Sequence, residues 1–350
     1  MTAILLLHGI LGLAFSGDIP PARMQAIYEQ VKTPYKLGIV IPAPDGKKVD
    51  CPTVFRHKGR WYMVYVQLEQ DPQGYTTQLA TSDDLIHWNC LGTILDQGPT
   101  GRWDSANVAG GVALIDPNWG GSYNLYSHDG LYWISYIGGA NPGYERPPLS
   151  IGMAYATDPT NLQGWQRMPR PVLGPADPDA RPFETEALFK SFVLYDHTAS
   201  LGRPFVMFYN ARPARGDETI MMAVSKDMRT WLRYGDRPVI SHPRPEGLRH
   251  GVISGDPQIV RMEGLWVMFY FGAFWRPKAF DTFAASEDLV HWTCWDGPAL
   301  IEPSEPWDQE FAHKPWLVKH GDIVYHFYCA VGTKGRAIAL ATSRPVEVYK

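Results

Sequence analysis

The hydrophobic positions of the chain fall into short runs in which aromatic and branched side chains alternate with smaller or polar ones. Such period-two patterns predict β-strands whose two faces differ in burial. One aromatic-rich pattern occurs five times, at residues 60–66, 131–137, 204–209, 265–270 and 323–328. Each copy is followed by an alanine-rich run with Ser or Thr at its end, at residues 78–82, 153–157, 221–225, 282–286 and 339–343. The sequence therefore predicts five copies of one β-rich unit.

The spacing of the units predicts how they assemble. A tryptophan follows the second strand in four units, and Trp88 and Trp292 lie three units apart, which gives a period of about 68 residues. Repeats of this length are typical of a propeller with four-stranded blades. The fifth unit ends at Lys350 before a fourth strand, whereas residues 37–41 are strand-like and belong to no unit. We predict an all-β, five-bladed β-propeller of four-stranded antiparallel blades, closed by this N-terminal strand, which removes an exposed sheet edge.

Residues 17–350 are predicted to form this single propeller domain, because prolines and glycines are dispersed as turns and no linker separates the units. Residues 1–16 are interpreted as a signal peptide, since an apolar run ends in small residues, although the usual basic start is absent. This predicts a periplasmic or secreted protein; if the segment is not a leader, the protein is cytoplasmic. No later apolar run is long enough to cross a bilayer, so no membrane partner is expected.

Composition narrows the class of partner. The chain is 45% hydrophobic and 19% charged, which suits a folded protein with a large core. A net charge of −4 with no stripe of Lys and Arg argues against nucleic acid. The 13 Trp, 18 Tyr and 14 Phe supply flat apolar faces that suit sugar rings, although most belong in the core. The four cysteines lack metal-type spacing, so no metal site is predicted, and the oligomeric state is left open.

The first strand of each unit begins with polar, mostly acidic residues. They are Asp50, Asp104, Glu184, Glu186, Asp256 and His313 with Lys314. Because the first strand of each blade lines the axis of a propeller, we expect these residues to converge on one funnel. Like charges in a partly buried site raise each other's pKa, so one carboxyl group stays protonated while a neighbour is ionised. Glycoside hydrolysis needs such a pair, although each acid taken alone is also typical of a turn.

With these residues and the segments Asp50-Cys51-Pro52-Thr53-Val54-Phe55 and Phe311-Ala312-His313-Lys314, the chain resembles the five-bladed β-propeller glycosidases. This group holds glycoside hydrolase families 43, 32, 68, 117 and 130, and the chain is most similar to glycosidases of Bacteroides-type bacteria. The resemblance covers the chain from about Arg23 to its end. It implies a glycosidase that acts by carboxylate acid and base catalysis.

The family 43 pattern implies Asp50 as general base, Asp104 as the residue that tunes the acid, and Glu184 or Glu186 as the acid. The chain departs from that pattern at Cys51, which interrupts the usual Asp-Pro pair, and in having two glutamates in the third unit. Glu186 aligns with Asp256 by its offset from the strand.

The family 117 pattern implies roles for Asp256 and His313, which makes His313 an alternative acid, because histidine donates a proton near neutral pH. The opposing interpretation is a His313 bound to water or to an axial calcium ion; no cofactor is otherwise expected. A phosphorylase like those of family 130 would need a cationic phosphate pocket, for which the candidates are Arg212, Arg215, His250, His313 and Lys314.

Candidate sugar-binding residues lie mainly in loops at the blade edges, and residues 138–148 form a turn-rich loop that is expected to wall the pocket. The candidates are Trp103, Asn107, Asn210, Arg212, Trp275 and Lys314, with Tyr144 and Arg276 beside them. We predict a glycoside hydrolase acting on oligosaccharides, inverting and exo-acting. A phosphorylase of the same fold and a non-catalytic carbohydrate-binding propeller are the alternatives.

Overall fold

The computed structural model describes residues 18–70 and 73–346, and the predicted leader, residues 1–16, lies outside them. The described residues form twenty strands in five four-stranded sheets, with one α-helix and one short 3-10 helix, Pro182–Glu184. Within those ranges no helix combines the length and the apolar character that crossing a bilayer requires.

Each sheet is one blade, whose four strands follow one another from the axis outward. Blade 1 contains β2 (Lys48–His57), β3 (Arg60–Gln70), β4 (Gln73–Ser82) and β5 (Asn89–Leu95). Blade 2 contains β6 (Asn107–Val112), β7 (Tyr132–Gly139), β8 (Ser150–Ala156) and β9 (Gln166–Arg167). Blade 3 contains β10 (Ala187–Tyr195), β11 (Phe205–Arg212), β12 (Thr219–Ser225) and β13 (Trp231–Tyr234). Blade 4 contains β14 (Ile253–Met262), β15 (Leu265–Ala273), β16 (Ala279–Ser286) and β17 (Thr293–Cys294). Blade 5 contains β18 (Phe311–His320), β19 (Ile323–Gly332), β20 (Gly335–Thr342) and β1 (Tyr35–Ile41).

The ring closes as predicted. β1 runs antiparallel to β20, with Tyr35 opposite Thr342 and Ile41 opposite Ile338. The innermost strands contact one another around the ring, and β18 meets β2 at the closure. The five-bladed propeller and the role of residues 37–41 in its last blade are therefore confirmed.

The recurring tryptophans belong to a repeated turn. In blade 1 the Ser82 hydroxyl accepts a hydrogen bond from the Leu85 N–H, and the Trp88 indole donates to the Leu85 carbonyl. Blades 3 and 4 repeat both bonds around Ser225 and Ser286. Each turn replaces lost strand pairing by side-chain bonds to the backbone, which explains why the sequence repeats there.

A helix that the strand pattern does not predict packs outside the ring. Helix α1 (Pro21–Val31) buries Met24, Ile27 and Val31 against side chains of blades 4 and 5, and Tyr28 stacks on Trp295 with ring centroids 5.2 Å apart. The three buried positions follow the i, i+3, i+7 spacing of an amphipathic helix.

Four innermost strands carry a bulge at the same level. Residues 51–52, 189–190, 256–257 and 314–315 each stand as a pair opposite one residue of the next strand. Cys51, Asp256 and Lys314 have φ of 50°, 53° and 64°, and a proline follows each where no ladder donor is needed. These three residues are therefore structural equivalents, and Phe189 takes the same place in blade 3. The alignment of Glu186 with Asp256 is wrong, because Glu186 lies three residues before the bulge.

The opposite end of the axis is closed by an axial plug, residues 113–126, between β6 and β7. The Leu114 N–H donates to Val193, the Arg56 N–H to Tyr123 and the Arg261 N–H to Pro117. The Tyr123 hydroxyl also accepts a hydrogen bond from the Lys319 N–H. The plug thus bonds to the ends of the innermost strands of blades 1, 3, 4 and 5 and covers this end of the axis.

Closure of blade 5 should depend on the fully buried Asp308, which pairs with Lys36 of β1 at 2.5 Å and accepts a hydrogen bond from the Tyr328 hydroxyl at 2.8 Å. We expect Asp308→Ala to lower the free energy of unfolding by about 3 kcal/mol, because it leaves Lys36 without its carboxylate. Urea denaturation followed by circular dichroism measures this.

The matched control is Arg60→Gln, which breaks an exposed ion pair with Asp83 and should leave the midpoint unchanged. An equal loss in both variants would contradict a closing role for Asp308.

Candidate active site

A cavity of about 200 Å³ lies at the end of the axis opposite the plug, and all five blades contribute side chains to it. Its apolar wall includes Phe189, Phe271, Phe274 and Phe311. Its polar lining residues are Cys51, Tyr75, Tyr144, Glu145, Lys190, Asn210, Glu218, Asp256, His313, Lys314 and Arg336. The cavity thus brings several acids and cations from distant parts of the sequence into one apolar surrounding.

Two carboxyl groups of the cavity share one amide. Asn210, on β11 opposite the blade 3 bulge, donates to Glu218 Oε1 at 2.9 Å and to Asp256 Oδ1 at 3.2 Å. Burial raises the pKa of Glu218 to about 8, and the charges of Glu145 and Asp256 add to the rise. Glu218 is therefore protonated at neutral pH and can donate its proton.

Glu145 is the more exposed carboxyl group, with 23% of its side chain accessible. It lies in the loop between β7 and β8, where φ of Glu145 is 47°. Its Oε1 is 3.9 Å from Lys314 Nζ. The cavity therefore contains a buried glutamate whose pKa is raised, Glu218, and a more accessible glutamate that faces a cation, Glu145.

Asp50 lies behind the cavity-lining Lys314 and Arg336 with 2% exposure, and its Oδ2 accepts from Lys314 Nζ at 2.8 Å and from Arg336 Nη1 at 2.5 Å. Burial alone would raise its pKa, but Lys314 and Arg336 hold the pKa of Asp50 well below its usual value. Asp50 is thus an ionised group engaged with two cations.

His313 is neutral. Its ring Nδ1 donates to the Cys329 carbonyl at 3.1 Å, because a carbonyl oxygen can only accept. Burial lowers the pKa of His313 to about 3, and the charges of Lys314 and Arg336 lower it further. A proton is therefore not available from His313 at neutral pH.

The bulge residue Cys51 places its thiol at the cavity floor. Its Sγ donates to Asp256 Oδ2 at 3.4 Å, and burial raises the pKa of this thiol. Its carbonyl accepts from Lys190 Nζ at 3.3 Å, which connects blades 1 and 3 across the axis. Cys51 is thus a neutral donor that orients Asp256.

Comparison with known proteins identifies the class of site. No family model and no curated protein matches the chain. A solved structure of a complex between BT0996 and RGII is 45% identical, with a TM-score of 0.87 over 93% of this chain and 95% of that chain. Another, named "Glycoside hydrolase", is 44% identical, with a TM-score of 0.88 over 94% of this chain and 96% of that one. This protein belongs to the five-bladed β-propeller glycoside hydrolases.

The fold of this glycoside hydrolase extends to distant structures. A thermostable family-43 glycoside hydrolase is 15% identical, with a TM-score of 0.62 over 90% of this chain and 98% of that chain. At that identity the match shows the shared fold alone.

Two predicted site residues of the hydrolase lie in blade 2 outside the cavity lining. Asp104 is fully buried and accepts from Arg102 Nε at 2.8 Å and from the Tyr136 hydroxyl at 2.9 Å. Trp103 stacks on Tyr136 with centroids 5.6 Å apart. The contacts of Asp104 and Trp103 are those of side chains that pack within a blade.

The two third-blade glutamates are also outside the described cavity lining. Glu184 is fully buried and bonds to Arg181 at 2.7 Å and Arg233 at 2.6 Å. Burial raises its pKa, but the hydrogen bonds from Arg181 and Tyr209 outweigh burial and lower the pKa. Glu186 pairs with Arg212 at 2.7 Å. Among the predicted acids, the cavity itself brings together Asp256 and His313, with Asp50 directly beside Lys314.

The predicted sugar-binding residues divide in the same way. Asn210 and Lys314 line the cavity. Asn107 is buried and donates to the Asn141 carbonyl, which anchors the loop of Glu145. Arg212 lies over the Phe189 ring at 4.5 Å, and Trp275 stacks on His242 at 3.8 Å.

Four cavity residues are not predicted by the sequence patterns: Glu145, Glu218, Lys190 and Arg336. Glu145 lies in the turn-rich loop that is expected to wall the pocket, so loop composition is the available signal. Glu218 lies in the hairpin between β11 and β12, and Arg336 is the second residue of β20. Neither is near the start of a first strand, which is where the sequence pattern indicated site residues.

The surroundings of His313 do not fit an axial calcium ion. Calcium takes six to eight oxygen ligands. The ring of His313 instead contacts Phe271 and Phe311 and lies near two cations. Among residues 18–70 and 73–346, no group of three or more metal-ligating side chains is assembled.

Glu184→Gln tests the two interpretations of that residue. We expect a loss of about 3 kcal/mol in the free energy of unfolding, because two buried arginines lose their carboxylate. We expect kcat of the folded variant to stay close to that of the unaltered enzyme, measured well below the unfolding transition. Loss of kcat by orders of magnitude without loss of stability would instead make Glu184 the acid.

Proposed function

We propose that this hydrolase removes a terminal sugar from an oligosaccharide related to RGII, with inversion, using Glu218 as acid and Glu145 as base. The observation that carries the proposal is the buried Glu218, whose pKa is raised to about 8, in the same cavity as the half-buried Glu145 beside Lys314. Glycoside hydrolysis requires one carboxyl group that donates a proton and a second that accepts one.

The proposed reaction balances within these two residues. Glu145 accepts a proton from a water molecule while the water oxygen bonds to the anomeric carbon. The bond from that carbon to the leaving oxygen breaks, and the leaving oxygen takes the proton of Glu218. A second proton exchange with solvent restores both groups.

Asp256 is assigned as the residue that tunes the acid. It shares Asn210 with Glu218, and its charge contributes to the raised pKa of Glu218. This function replaces the one that the family 43 pattern implied for Asp104. Cys51, which interrupts the Asp-Pro pair of that pattern, supports Asp256 through its thiol.

The shape of the cavity supports exo-action. Its volume of about 200 Å³ is below the roughly 300–1,000 Å³ of sites for drug-sized ligands. The axial plug, residues 113–126, closes the far mouth. A closed cavity of this size suits one terminal sugar ring at its bottom, with the rest of the oligosaccharide outside.

The charges favour hydrolysis over phosphorolysis. Lys314 and Arg336 already bond to Asp50, and Lys190 bonds to the Cys51 carbonyl. Of the proposed phosphate-binding residues, only His313 and Lys314 are among the described residues that line the cavity. A phosphate dianion would have to compete with carboxylates for these cations.

The substrate proposal is tested by incubating the enzyme with oligosaccharides of RGII and with chromogenic furanosides and pyranosides. We expect a single free sugar to be released from the oligosaccharide, detected by mass spectrometry and chromatography. Equal rates with and without inorganic phosphate support hydrolysis, whereas a sugar phosphate product contradicts it. Proton NMR of the first-formed anomer reports inversion or retention.

Glu218→Gln should reveal the acid through the leaving group. With a sugar leaving group we expect kcat to fall about 100- to 10,000-fold, because the departing oxygen is not protonated. With a dinitrophenyl glycoside, whose leaving group needs no proton, the loss should be small. The unaltered enzyme should lose kcat/KM as pH rises through about 8, since Glu218 gives up its proton there.

Glu145→Gln should lower kcat with both leaving groups, because water activation is lost in either case. The matched control is Glu186→Gln, whose carboxylate pairs with Arg212 outside the cavity lining. Equal losses of Glu218→Gln on both substrates would remove Glu218 from the acid role.

A further inference from the structure

We propose that Asp50, Lys314 and Arg336 form a positioning cluster that holds residues 140–148 over the cavity and fixes the place of Glu145. This inference rests on the proposed function of Glu145 as base. It gives Asp50 a function through other residues, in place of direct action on substrate.

The cluster is built around one buried carboxylate. Asp50 Oδ2 accepts from Lys314 Nζ at 2.8 Å and from Arg336 Nη1 at 2.5 Å, and Oδ1 accepts from the Cys51 N–H at 2.9 Å. One negative charge against two positive charges leaves a surplus positive charge in a buried place. Such a surplus is costly unless a second anion approaches.

Both cations reach the loop that carries Glu145. Arg336 Nη1 donates to the Tyr144 hydroxyl at 2.9 Å, and its guanidinium lies 5.1 Å from the Tyr144 ring centroid. Lys314 Nζ lies 3.9 Å from Glu145 Oε1. Two cations of blade 5, both anchored on Asp50 of blade 1, thus hold adjacent residues of a blade 2 loop.

The loop needs this support at its tip. Its base is held by Asn107, which bonds the Asn141 carbonyl, and by Gln73, whose carbonyl accepts from the Gly143 N–H. Tyr144 keeps 40% of its surface exposed. Glu145 has φ of 47°, a conformation that a glutamate keeps only when its surroundings hold it there.

Several charged and titratable groups surround Glu145. Lys314 is the cation that faces it, while the carboxyl group of Glu218 and the hydroxyls of Tyr75 and Tyr144 are the other titratable groups that interact with it. Beyond these lie Asp50, Asp256, His313 and Arg336. Both tyrosines have raised pKa values, so neither changes charge near neutral pH.

Lys314→Met tests the charge. Asp50 keeps Arg336 as a partner, so the variant should fold. We expect kcat to fall about tenfold or more while KM changes less, because the cation that faces Glu145 at 3.9 Å no longer positions it. Lys314→Arg keeps a cation in this place and should recover most of the lost kcat. A folded Lys314→Met with unchanged kcat overturns the proposal.

Tyr144→Phe and Arg336→Met test the hold on the loop without relying on activity. We expect faster amide hydrogen exchange in residues 140–148 and unchanged exchange in β14, with a larger effect for Arg336→Met because it removes the ring contact as well. Unchanged exchange in both variants overturns the positioning role. If the enzyme cleaves no glycoside at all, the proposed function fails while this measurement still judges the cluster.

Discussion

The antiparallel pairing of β1 with β20 is the interaction on which the rest of the molecule depends. Without it blade 5 has an open edge, and the contact between β18 and β2 has no support behind it. Asp50 lies on β2 and Lys314 on β18, and these two strands are neighbours only because the ring is closed. Residues 264 positions apart therefore share a hydrogen bond of 2.8 Å.

The architecture was predictable from the sequence because it is repetitive. Five copies of a strand pair, four following tryptophans and one strand without a unit near the N-terminus define a closed ring, and every copy adds independent support. Helix α1 was missed because it occurs once and its apolar spacing covers only Met24, Ile27 and Val31. An element that occurs once in the sequence has no second copy to support its prediction.

The site was harder to predict because partners decide what a carboxylate does. Glu184 and Glu218 are both buried glutamates of blade 3, yet Glu184 contacts Arg181 and Arg233 while Glu218 faces other acids. No spacing along the sequence reveals Arg233, which is 49 residues from Glu184. The bulges add a second difficulty, since one inserted residue changes which side chain enters the axis, as at Cys51.

The axial plug gives the propeller a floor, which has a kinetic consequence for a hydrolase acting as proposed. Substrate and both products pass through the same opening of the cavity. The detached sugar, which lies deepest in the cavity, therefore leaves only after the shortened oligosaccharide has moved away. Release is then ordered, and the small sugar occupies the place that the next substrate end must take. The turnover of such an enzyme is governed by how quickly its smallest product escapes.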